Sequence, residues 1–134
     1  MKSHCPINYA LEQFGDKWSL LIIRDLMFKG KRHYNEFFES DEKVSTSVLG
    51  DRLRSLEKDG IITKSEDSVK KSRIRYSLTE KGIALLPMLL EMIVWSGDFD
   101  DKTAAEKEFL KSAKKVKGKL ILELGKQLKK EHLK

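Results

Sequence analysis

A chain of 134 residues with 40% apolar side chains and a formal net charge of +6 is sized for one folded domain with an appendage. It has no run of ~18 apolar residues, which argues against a membrane span, and its N-terminal stretch MKSHCPINYALEQFG lacks the apolar core of a secretory leader. A single cysteine cannot close an intrachain disulfide, which fits a reducing, cytoplasmic setting.

The charge is unevenly placed. Residues 1–100 hold sixteen Lys/Arg and sixteen Asp/Glu, so the whole excess lies in residues 101–134. Phosphate binding in the first hundred residues must therefore rest on local clusters and not on bulk pI.

Pro6 suits the first turn of a short helix that runs to about Phe14 and stops at Gly15. Asp16 is placed to cap the next helix, KWSLLIIRDLMF, where Trp18, Leu21, Ile22 and Leu26 recur at helical spacing. KGKR, residues 29–32, is a basic turn. HYNEFFES is a short helix with Tyr34, Phe37 and Phe38 as its buried side. After the loop DEKVS, Ser45 caps a helix with Val48, Leu49, Leu53 and Leu56 on one face, and Asp59-Gly60 ends it. Its opposite face carries Ser47, Gly50, Asp51, Arg54 and Lys58.

The period then changes from 3.6 to 2. IITKSE reads as a strand, DSVKKS as a turn and RIRYSL as a second strand. Ile74, Tyr76 and Leu78 share one face of the latter, Arg73, Arg75 and Ser77 the other. Thr79 caps a helix over about 79–96, with Glu80 in its first turn. Leu86, Leu89, Leu90, Ile93 and Trp95 are among the apolar residues that surround its axis. A helix apolar all round is buried all round, and a second copy of the chain is the simplest cover. Pro87 should kink it. GDFDDKT is a polar break. Residues 103–131 then read as one helix, striped by Ala105, Phe109, Ala113, Val116, Leu120 and Leu124, with Lys111, Lys115, Lys119, Lys126 and Lys129 roughly opposite. The expected organisation is a domain over 1–100 and a basic amphipathic helix in 101–134.

A short helix, a turn and an amphipathic helix form a helix-turn-helix, and the following hairpin is a wing. Ser45, Thr46, Ser47 and Gly50 are small enough to let the second helix approach base edges. Arg52 and Arg54 donate to guanine or phosphate, with Arg54 pointing farther from the core. VKKSRIR, residues 69–75, places Lys70, Lys71, Arg73 and Arg75 together without an acid, as a wing along a phosphate backbone requires. Lys29, Lys31 and Arg32 extend that footprint. The plainer alternatives are a solvated helix face and a basic turn of no consequence. The balanced charge of residues 1–100 also leaves open a winged helix that contacts protein instead of DNA. For the tail, packing back on a dimer stands beside added backbone contact and a membrane-surface helix. His4, His33 and His132 are scattered and read as surface residues, with no metal site. No glycine-rich phosphate loop, catalytic triad or paired carboxylates are spaced for chemistry, so neither an enzyme nor a cofactor is expected.

CPINYALEQFGDKWSLLIIRDL, then HYNEF, then VSTSVLGDRLRSLEKDGII, then YSLTEKG with a following Pro and Trp resemble the HxlR-type winged helix-turn-helix transcription regulators of bacteria. The resemblance covers about residues 5–97. It implies a mostly α fold with a small β-hairpin wing (α+β), here with an additional C-terminal helix. It also implies a homodimer joined through the first and last helices of the winged domain, Leu11 included, on a pseudo-palindromic double-stranded DNA operator. Several proteins of the family use a Cys before Pro to sense oxidants or electrophiles, which makes Cys5 a candidate redox sensor and an oxidant or small molecule a candidate effector. Amides at the start of the first helix, with His4 and Lys2 nearby, favour a thiolate there. An inert, packed cysteine is the plainer reading. The basic tail lies outside the resemblance.

Overall fold

Pro6 opens α1 (Pro6–Phe14) in the computed structural model, which describes residues 4–133; its missing N–H costs nothing in a first turn. Lys2, expected to add charge beside Cys5, lies outside the described residues. Gly15 ends α1, with its N–H on the Leu11 carbonyl at 2.8 Å. A Cβ at that corner would stand 2.4 Å from the same oxygen, so only glycine fits. Asp16 then caps α2 (Lys17–Phe28). Its carboxylate accepts from Trp18 N at 2.9 Å, Ser19 N at 3.1 Å and Ser19 Oγ at 2.5 Å.

A 3₁₀ helix, Tyr34–Glu39, precedes α3 (Thr46–Lys58), whose cap is Ser45 Oγ accepting from Val48 N at 3.3 Å. Gly60, at φ +76, reverses the chain in a conformation that side chains resist. β1 (Ile62–Glu66) and β2 (Ile74–Leu78) pair antiparallel, from Ile62 opposite Leu78 to Glu66 opposite Ile74. His33 adds an antiparallel bridge to Arg75, so β2 has a partner on both sides. The core of this part joins Ile22, Ile23 and Leu26 of α2 with Phe37, Leu49, Leu53, Leu56, Ile61, Ile62, Tyr76 and Leu78. Each large apolar side chain buried there contributes about 1.5–3 kcal/mol. Of the three aromatics expected on the buried side of the 3₁₀ helix, only Phe37 is fully buried. Tyr34 instead donates its hydroxyl to the Thr46 carbonyl at 3.2 Å.

The chain divides after Gly82 into two compact units. The helix expected over 79–96 is two helices, α4 (Glu80–Ile83) and α5 (Leu86–Phe99). Pro87 lies in the first turn of α5 and does not kink a helix interior. Restarting there removes the clash and the missing hydrogen bond that a continuous helix would suffer. α5 also runs through Gly97 and Asp98 to Phe99, so the polar break begins later than its composition suggests. The tail is likewise two helices, α6 (Lys107–Lys115) and α7 (Lys117–His132). They part at the β-branched Val116, at φ −128 and ψ 44, and not at Gly118 or Gly125.

In the second unit α5, α6 and α7 pack on one another. Leu86, Leu89 and Leu90 of α5, Ala113 of α6 and Leu128 and His132 of α7 are buried. Ion pairs Asp98–Lys114 and Glu91–Lys117 tie α5 to the tail helices. By composition and as one stretch of 20 residues, Glu80–Phe99 is apolar and long enough to cross a membrane. Its longer helix, α5, has only 14 residues, about 21 Å of rise against a hydrocarbon core of ~30 Å.

Candidate nucleic-acid interface

Ser45, Thr46 and Ser47 are exposed at the start of α3, while Leu49, Leu53 and Leu56 hold the helix to the core. Ser47, Asp51, Arg54 and Lys58 form one exposed row, at the spacing of successive turns. The Arg54 side chain is 72% exposed, and Asp51 lies 4.0 Å from its guanidinium. Gly50 opens the space beside it: a Cβ there would stand 3.4 Å from Arg54 Nη1. A cleft of about 230 Å³ follows, lined by Tyr34, Gly50, Leu53, Arg54, Glu57, Lys64 and Tyr76.

Arg52 has a different environment. Its Nε donates to Asp16 Oδ1 at 3.0 Å and its Nη1 to Asp51 Oδ2 at 2.7 Å. It braces α3 against the N-terminus of α2. Burial works against ionisation of Asp16, but bonds from Ser19 and the charge of Arg52 outweigh it and hold the carboxyl below its ordinary value.

Lys70, Lys71 and Arg73 are exposed on the turn between the strands, and Arg75 is half-exposed on β2. The turn has its own scaffold. Asp67 N donates to the Arg73 carbonyl at 2.8 Å and Arg73 N to the Lys70 carbonyl at 2.9 Å. Asp67 Oδ2 accepts from Val69 N at 3.2 Å and Lys70 N at 2.9 Å, the habit of Asp at a turn start. Val69, 93% exposed, sits within this turn.

His33 is not a surface residue. Its ring lies between Glu36 and Asp67 and its side chain is 16% exposed. The bond from His33, followed by the Lys70 amide, brings the Asp67 carboxyl down to about 2. Only half of this cluster had a sequence signal. The His-x-x-Glu spacing puts Glu36 beside His33, but Asp67 is 34 residues away. His132 is also buried, at the end of a stripe with Leu124 and Leu128 on α7, whereas His4 is exposed. No group of three His, Cys, Asp or Glu side chains is placed to hold a metal among the described residues.

Lys31 and Arg32, expected on a phosphate backbone, have their charged ends inside the fold. Lys31 Nζ donates to Ser40 Oγ at 2.7 Å and lies 3.6 Å from the buried Asp25. Arg32 donates to the Tyr76 carbonyl at 2.7 Å and to Ser77 Oγ at 2.5 Å. A buried carboxylate needs nearby cations, and Arg24 and Lys31 supply them to Asp25. Lys29 stays exposed.

The residues expected at a dimer interface divide in the same way. Leu86, Leu89 and Leu90 are already buried within the chain, and Ile93 is half-buried. On α1, Ile7, Tyr9 and Leu11 are exposed, and on α5, Met92, Trp95 and Phe99 are. Cys5, exposed, occupies the N-cap position of α1.

Residues 13–104 match the family model for the HxlR-like helix-turn-helix. The chain is 32% identical to an uncharacterized HTH-type transcriptional regulator, YdeP of Bacillus subtilis (strain 168), over 87% of each chain. Among solved structures it is similar to a candidate transcription factor, PA1607, with a TM-score of 0.69 and 32% identity over 78% of this chain and 72% of that one. It is also similar to the redox regulator HypR in its oxidized form, with a TM-score of 0.62 and 33% identity over 70% of this chain and 96% of that one.

Proposed function

Because this chain belongs to the HxlR-like helix-turn-helix family of DNA-binding transcriptional regulators, we propose that it acts as a homodimer on a pseudo-palindromic double-stranded operator. α3 enters the major groove with Ser45, Thr46, Ser47, Gly50 and Arg54 toward the base edges. Lys70, Lys71, Arg73 and Arg75 of the wing lie along the phosphate backbone. Arg52 acts through Asp16 as a brace. The observation that carries this reading is the exposed row of α3, with Arg54 extended from it, in the same unit as a turn whose cations are all exposed. The exposed apolar residues of α1 and α5 are the surfaces for the second copy.

A cytoplasmic setting follows from the role. The family regulates transcription and is not one of enzymes, and the function needs no cofactor. Cys5 is the proposed sensor of oxidants or electrophiles. Its exposure at the mouth of α1 and the similarity to a redox regulator support that role. Hydroxyl-radical footprinting on the DNA upstream of the protein's own gene tests the reading. It predicts two protected patches separated by about one helical turn, or a multiple of it. A single patch or none would overturn it.

A further inference from the structure

Both ring nitrogens of His33 meet a carboxylate. Nδ1 lies 2.8 Å from Glu36 Oε1 and Nε2 lies 2.8 Å from Asp67 Oδ1. The two acids belong to different elements, Glu36 to the 3₁₀ helix and Asp67 to the turn that follows β1. A neutral imidazole carries one N–H and can serve only one of them; its other nitrogen would turn a lone pair on a carboxylate. An imidazolium donates to both, and each bond is then charge-assisted.

The cluster is linked to the wing at several points. Asp67 meets the ring with Oδ1 while its Oδ2 takes the amides of Val69 and Lys70. The turn carrying Lys70, Lys71 and Arg73 is thereby tied to the imidazole. The backbone on the other side of the ring is fixed as well: His33 bridges Arg75, and Tyr76 N donates to the Arg32 carbonyl at 2.7 Å. The charged groups placed against the ring are Glu36 from the 3₁₀ helix and Asp67 from the turn. Arg75 of β2 meets His33 through the backbone, and the Arg32 guanidinium is committed to Tyr76 and Ser77.

We propose that doubly protonated His33 is a strap that fixes the wing turn against the helix-turn-helix, so that the wing's grip on DNA loosens as the ring loses its second proton. His33 is a positioning residue: it acts through Asp67 and touches no DNA. Loss of the proton leaves one carboxylate facing a ring lone pair, the strap opens at that bond, and the turn's cations lose their register with the phosphates. The acids set the opposite limit, because the strap also needs Asp67 and Glu36 ionised. The inference rests on the DNA-binding reading of the wing.

The experiment compares the full chain at about pH 6 and about pH 8, which bracket neutrality. Duplex affinity is read by fluorescence anisotropy. Amide protection factors at Val69 and Lys70 are read by hydrogen exchange, corrected for its intrinsic pH dependence. The wild type is expected to bind several-fold more tightly at the lower pH, with higher protection at both amides. His33→Gln should bring both readouts to the wild type's high-pH level and remove their pH dependence. Glu36→Gln can pair with a neutral ring, should blunt the dependence, and serves if His33→Gln does not fold. A wild type that binds DNA equally at both pH values with unchanged protection overturns the strap and leaves the DNA reading standing, as does a His33→Gln protein with wild-type pH dependence. A wild type that binds no duplex at either pH overturns the DNA reading and the proposal with it.

Discussion

Arg52 of α3 donates to Asp16, the cap of α2, across 36 residues of sequence. The same helix sends Arg54, two positions on, into solvent. Two arginines on one helix therefore differ in setting, one bonded within the fold and one extended into solvent.

The separation can be measured. Arg54→Ala should cost about 1–3 kcal/mol on the operator if it makes a bidentate base contact, and should relax specificity. Its thermal midpoint should match the wild type. Arg52→Ala should lose stability, by about 1 kcal/mol or less since both partners are partly exposed, and should weaken DNA binding less than Arg54→Ala. Binding titrations beside urea denaturation decide it. Equal losses of affinity with no loss of stability would place both arginines on the DNA.

Acid should unfold the protein in a way that reports the wing cluster. The Asp67 carboxyl is at about 2 in the fold against an ordinary 3.8, and Glu36 is also below its ordinary value, its bonds from Arg32 and His33 outweighing burial. A carboxyl more acidic in the folded than in the unfolded chain adds stability above its unfolded value and loses it as pH falls through the folded one. The urea midpoint should therefore fall between pH 3.8 and about 2. Asp67→Asn should flatten that part of the profile. An Asp67→Asn profile parallel to the wild type would contradict the assignment.

Self-association should depend on the exposed residues of α5 and not on the buried ones. Trp95→Glu with Phe99→Glu should give folded monomers in sedimentation. Leu90→Ala should instead cost about 2–5 kcal/mol of stability, as a fully buried leucine does. A wild type that sediments as a monomer at micromolar concentration would remove the dimer.

Cys5 should make DNA binding responsive to diamide or peroxide. The chain has one cysteine, so a disulfide formed on oxidation must join two subunits or capture a small thiol. Treated wild type should show a changed operator affinity and a disulfide-linked species or adduct by mass, and Cys5→Ser should show neither. Equal affinity before and after treatment would leave Cys5 without a sensing role.

Local rules explain what is legible in the sequence. Asp16 and Ser45 mark two helix starts, Asp59-Gly60 one helix end, and the change to a period of two the hairpin. Each of these depends on a few adjacent residues. What the sequence could not assign depends on distant partners. Lys31 and Arg32 look like any basic turn until Ser40, Tyr76 and Ser77 come beside them. His33 reads as a lone histidine until Asp67 arrives from the hairpin. An apolar helix such as α5 does not reveal in its sequence which leucines its own chain covers. Pro87 reads as a kink because the apolar pattern runs on through it, whereas the backbone restarts there.

The central claim is that the wing lies on a phosphate backbone while α3 reads bases. The salt dependence of affinity for a random-sequence duplex tests it most directly, comparing the wild type with Lys70→Ala and Arg73→Ala. Each substitution is expected to weaken binding to all sequences alike and to reduce the slope of log affinity against log salt by about one unit for each phosphate that is no longer neutralised. Slopes unchanged in both variants would contradict the account and point to a winged helix that grips a protein.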